Sequence, residues 1–128
     1  MRKAQIAMEF MIIFSVFLIA IILIVLAVWN NIANAEKSSI DFEAGGILKL
    51  ASGRINTAYL EGDGFSIGLA IPEKIGVYDY TLQFEGSTLW LYVNQISYPG
   101  KLLTTSITGT LAKGENTIKN VNGTIVIA

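Results

Sequence analysis

Twenty consecutive residues, Phe10 to Trp29, carry a single polar side chain, the hydroxyl of Ser15. In a helix rising about 1.5 Å per residue such a run covers about 30 Å, the thickness of a bilayer's hydrocarbon core. The segment can span a membrane, and everything else in the chain has to be fitted around it. Arg2 and Lys3 stand on its short N-terminal side. By the positive-inside rule the N-terminus stays in the cytoplasm and the residues after Trp29 lie outside.

The polar residues ahead of the run are unusual in their order. An ordinary secretory signal is cut after its apolar stretch, whereas here a basic tip is followed by Ala4, Gln5 and, four residues on, the lone carboxylate Glu9. This arrangement resembles the class III signal peptide of archaeal type IV pilin-like proteins, in which a short basic leader precedes a Gln and a Glu stands at the fifth position of the mature chain. The resemblance implies a leader of residues 1–4, cleavage between Ala4 and Gln5 by a prepilin peptidase, and retention of the apolar helix. It also implies that Gln5 and Glu9 act in assembly, the new amino group at Gln5 of one subunit pairing with Glu9 of a neighbour. The expected partners are the membrane before assembly, the pilus assembly machinery, and other copies of the chain in a helical homopolymer. The expected end point is an extracellular filament that serves adhesion.

The composition narrows the classes of function. The net charge is -1, and loss of Arg2 and Lys3 lowers the basic count from 9 to 7 against 10 acidic residues, or -3. No basic patch is available to neutralise phosphates, so nucleic acid is not an expected partner. Cysteine and histidine are absent, which removes thiol nucleophiles, imidazole bases, disulfides and the usual zinc sites. No pair of titratable groups suggests catalysis. We expect no enzyme, no cofactor and no resident metal.

Beyond Val28 apolar residues recur at 32, 40, 44, 47, 48, 51, 55, 58 and 59, close to a 3.6-residue period. Glu36, Lys37, Asp41, Glu43, Lys49 and Arg54 are assigned to the opposite, solvated face. The spacing predicts one long helix over residues 5–61, apolar in its first half and amphipathic in its second. Gly45-Gly46 costs about 2 kcal/mol against two alanines, and a bend or break is expected there. After Glu61-Gly-Asp-Gly64 the period changes to two. Strands are expected at 65–71, 78–84, 88–95, 102–108, 116–121 and 124–128, with a type II turn at Tyr98-Pro99-Gly100-Lys101 and a two-residue turn at Asn122-Gly123. The fold class is therefore α+β, a long N-terminal helix packed on a small antiparallel β head over residues 62–128.

Four further features bear on function. Ala33-Asn34-Ala35 has the A-x-A form read by signal peptidase, and cutting after Ala35 would release a soluble β domain. Asn122-Gly-Thr124 is an N-glycosylation sequon, meaningful outside the cytoplasm. Trp90 and Tyr92 alternate with Leu89, Leu91 and Val93, a pattern expected of a central strand covered on both faces. Exposed, the same aromatics would be contact anchors. Glu61 and Asp63 supply too few oxygens for calcium and are expected to be solvated. The alternatives to a major pilin are a minor pilin of another pilin-like assembly, a single-pass anchored β domain, and a secreted binding domain beginning at Glu36.

Overall fold

The computed structural model describes residues 1–128 and contains one helix and seven strands: α1 (Arg2–Glu61), β1 (Ser66–Ile71), β2 (Tyr80–Glu85), β3 (Thr88–Val93), β4 (Ile96–Lys101), β5 (Ile107–Thr108), β6 (Gly114–Val121) and β7 (Thr124–Ile127). The chain divides into two compact units, Met1–Ser38 and Ser39–Ala128. The first consists of helix alone. In the second, the outer part of α1 packs against two small sheets, so the fold is α+β with a helix and a β head.

The strand order is β1-β6-β7-β5 in one sheet and β2-β3-β4 in the other. All pairings are antiparallel except β5 with β7. That parallel contact was not expected, and it replaces the predicted strand over 102–108 by a loop and a two-residue strand. The crossover from β5 to β6 passes through Gly109, at φ 101°, where an added Cβ would lie 2.3 Å from the Ile127 carbonyl oxygen. Only glycine fits so close to a backbone atom.

One core unites helix and sheets. Ile40, Ala44, Ile47, Leu48, Ala51, Ile55 and Ala58 of α1 are buried with Leu69, Tyr80, Leu89, Leu91, Ile118 and Ile125 from the strands. This is the apolar face expected from periodicity, except that Ile32 and Tyr59, counted in the same series, are exposed. The helix runs unbroken through Gly45 and Gly46, contrary to the expected bend or break. Their neighbours explain why: burying Ile47 and Leu48 contributes about 2 kcal/mol each, which outweighs the propensity cost of two glycines.

The predicted turn at Tyr98–Lys101 is also corrected, because Pro99 and Gly100 lie inside β4. The reversal occurs earlier, at Asn94 and Gln95, whose φ values of 46° and 64° suit the two-residue loop closed by Val93 and Ile96. β4 is an edge strand, where a proline without an N–H is tolerated. Gly100 is buried against the helix: a Cβ there would sit 3.0 Å from Leu48 Cδ2. The Asn122-Gly123 turn is as expected, with φ 51° and 82°.

Acidic side chains assigned to the solvated helix face instead reach across to the β1–β2 loop and to β4. Glu43 accepts the Gly76 N–H at 3.0 Å, and Asp41 accepts the Tyr98 hydroxyl. That hydrogen bond, with some burial and the carboxylate's charge, pushes the Tyr98 pKa up to about 12 from 10.0. Because the folded value is raised, this interaction contributes stability fully below pH 10 and loses it as pH climbs from 10 to about 12. In an ultraviolet titration of the five tyrosines, the component missing from Tyr98→Phe should titrate last. Asp41→Ala should bring it down toward 10. An unchanged Tyr98 titration in that variant would rule out the contact.

Candidate functional site

The first turn of α1 holds Arg2 and Lys3 and no acidic residue. Cations at the positive end of the helix dipole weaken it, and the turn is tied by a backbone bond from Gln5 N–H to the Met1 carbonyl at 3.2 Å. The Ala4–Gln5 peptide thus lies in the least stabilised turn of the helix, fully exposed. A peptidase has to draw the backbone out of the helix to reach its carbonyl, and here only one turn need open.

Glu9 sits four residues beyond Gln5, about 6 Å further along the axis. It is exposed and takes no part in the ion pair that joins Lys113 to Asp79. Ser15, by contrast, is satisfied locally: its hydroxyl donates to the Met11 carbonyl at 2.7 Å, so it adds no unpaired polar group to the apolar segment. Glu9, immediately ahead of that segment, is a carboxylate with no hydrogen bond or ion pair within the chain.

Around it the surface is apolar on all sides. Every residue of Met1–Ser38 is exposed, including Phe10, Phe14, Phe17, Ile21, Leu26 and Trp29. By length and composition this helix can cross a membrane, and its most apolar stretch is not buried at all. A surface of this kind is stable only against lipid or against other apolar helices. Ala33-Asn34-Ala35 lies within the same helix, a few residues before the second compact unit opens at Ser39.

The remaining candidates lie in the second unit. Asn122 is exposed at its hairpin tip. Its backbone N–H donates to Asp63 Oδ1 at 2.7 Å, which leaves the side-chain amide free, as a glycosylation acceptor requires. Asp63 is accordingly not simply solvated, since it fastens the loop after α1 to this hairpin. Trp90 and Tyr92 depart from expectation. Their strand is central in its sheet, but only Leu89, Leu91 and Val93 are buried, while the opposite face is open. The buried asparagines Asn116 and Asn120 were not anticipated. Asn120 donates to the Ala58 and Tyr59 carbonyls at the end of α1 and accepts the Gly123 N–H.

Comparison of the chain with models of protein families, with curated proteins and with solved structures finds no match. The functional reading therefore rests on the residues and their placement.

Proposed function

We propose that the chain is the precursor of a structural subunit of an archaeal type IV pilus-like filament. The observation that carries this reading is a fully apolar helical surface that no part of the chain covers, with one unpartnered carboxylate near its start. Lipid covers that surface before assembly. Afterwards the helices of other copies take its place, an exchange that costs little because both environments are equally apolar. Trimming at Ala4-Gln5 removes the two cations that hold the N-terminus in the cytoplasm. It also creates an amino group one helical turn from Glu9, and the new amino group of one copy then pairs with Glu9 of the next. The β head is carried on the outside, where it serves adhesion.

A second reading is favoured by the position of Ala33-Asn34-Ala35, directly ahead of the compact unit that starts at Ser39. Cutting there yields a secreted β-domain binding protein.

The mature N-terminus separates these readings. Mass spectrometry of the protein from its own cells is expected to find a chain beginning at Gln5, and deletion of Arg2 and Lys3 should leave an uncut, membrane-bound precursor. A chain beginning at Glu36 would establish secretion, and one retaining Met1 would establish a simple anchor.

A further inference from the structure

The sheet β2-β3-β4 turns one face to the core and leaves the other open. On the open face three cross-strand rows lie side by side: Thr81–Tyr92–Ser97, Gln83–Trp90–Pro99 and Glu85–Thr88–Lys101. The Trp90 and Tyr92 rings are near-parallel neighbours, with centroids 6.3 Å apart and planes 29° from coplanar orientation, and Tyr92 is 40% exposed. Neither the indole N–H nor the phenol makes a hydrogen bond within the chain, and the side chains of Thr81, Gln83 and Ser97 are equally uncommitted. Two flat apolar surfaces are thus set within a ring of free donors and acceptors.

The size and charge of the face limit what it can hold. Three strands about 4.8 Å apart and six residues long make a face of about 10 by 20 Å. That is roughly 200 Å², against about 800 Å² per partner in a stable protein interface. A second protein or another copy of this chain would gain too little here. The only charges are Glu85 and Lys101, of opposite sign and in one row, so the face offers no field for a polyanion or an anionic membrane. Aromatic faces beside hydroxyl and amide groups match a ligand that is apolar on its ring faces and polar around its rim.

We propose that this face binds a neutral polysaccharide, Trp90 and Tyr92 stacking on pyranose rings while Thr81, Gln83 and Ser97 hydrogen-bond its hydroxyls. The idea rests on the cell-surface reading above only for where such a glycan is met, and binding by the isolated subunit does not need filaments. The test uses the full chain carrying Trp29→Phe, which leaves Trp90 as the sole tryptophan, in polyoxyethylene detergent micelles free of sugar headgroups. Soluble β-glucan, α-mannan and chitin oligosaccharides are titrated against Trp90 fluorescence, with polygalacturonate as the charged comparison. At least one neutral polymer should shift the emission. In affinity electrophoresis Tyr92→Ala and Trp90→Ala should each weaken its binding about tenfold or more without changing thermal unfolding. Tyr92, the more exposed ring, provides the decisive variant if Trp90→Ala unfolds. Lack of binding by all three neutral polymers, preference for polygalacturonate, or binding that survives Tyr92→Ala would each overturn the proposal.

Discussion

Glu9→Ala is expected to give a protein that inserts and is trimmed at Gln5 yet forms no filaments. If the helix is only an anchor, Glu9 is a carboxylate near the positive helix end and its removal changes little, since such interactions contribute about 0.3–1 kcal/mol when exposed. If copies pack along their apolar segments, the same substitution leaves the neighbour's amino group unpaired among apolar helices. Breaking a buried ion pair from one side costs about 3–5 kcal/mol. The loss recurs at every subunit added, and growth should stop. Negative-stain microscopy of cells carrying the variant and their own assembly machinery reads the outcome, with mass spectrometry to verify trimming. Glu9→Gln accepts a hydrogen bond without the charge and should be intermediate at best. Abundant normal filaments from Glu9→Ala would refute the pairing.

The parts of this fold legible in the sequence are those set by hydrophobic period. The apolar run from Phe10, the 3.6-residue recurrence through Ile40, Ile47, Ala51 and Ile55, and the alternation in β1, β2 and β3 each arise from one face being buried, which leaves a pattern in a single chain. What period cannot reveal is competition between a local preference and a tertiary one. Gly45-Gly46 reads as a break because propensity is local, and the helix holds because Ile47 and Leu48 are buried beside it. Pro99-Gly100 reads as a turn for the same reason. Asn94 and Gln95 give a weaker turn signal, but only they leave Leu91 opposite Tyr98 and Val93 opposite Ile96. The aromatic strand was read as covered on both faces because its pattern is apolar on both. Nothing in β3 itself says that a sheet of only three strands has a second layer on one side alone.

The segment proposed for processing and assembly is read in a different way: its information lies in order along the chain. A basic tip, a Gln, a carboxylate and then an apolar run need no tertiary structure to be recognised. The structure adds that Ser15 is satisfied within its own helix, while the Glu9 carboxylate is exposed and outside the Lys113–Asp79 ion pair.

Asn120→Ala is expected to be the most damaging single substitution in the β head. Asn120 is 1% exposed, and the alternation of β6 places it on the inward face with Ile118. An asparagine in that series is poorly suited to a strand, which was the available sign of a structural role. Its amide nitrogen donates to the Ala58 and Tyr59 carbonyls at 3.0 and 3.3 Å, two of the orphan acceptors left where a helix ends. Its carbonyl oxygen accepts the Gly123 N–H at 2.9 Å, so one side chain joins the end of α1 to the β6–β7 hairpin. Alanine leaves these groups buried without partners, at about 1–3 kcal/mol each, and about 3 kcal/mol of net destabilisation is expected after partial relaxation. Asn120→Asp should be no better, because it turns a carboxylate toward two carbonyls at the negative end of the helix. Asn122→Gly, two residues away in the same hairpin, should stay within about 0.5 kcal/mol of the parent, since glycine readily adopts its left-handed conformation. Urea unfolding of the full chain in micelles, followed by near-ultraviolet circular dichroism, distinguishes the three. Equal midpoints for Asn120→Ala and Asn122→Gly would mean that the helix end is held by the apolar core alone.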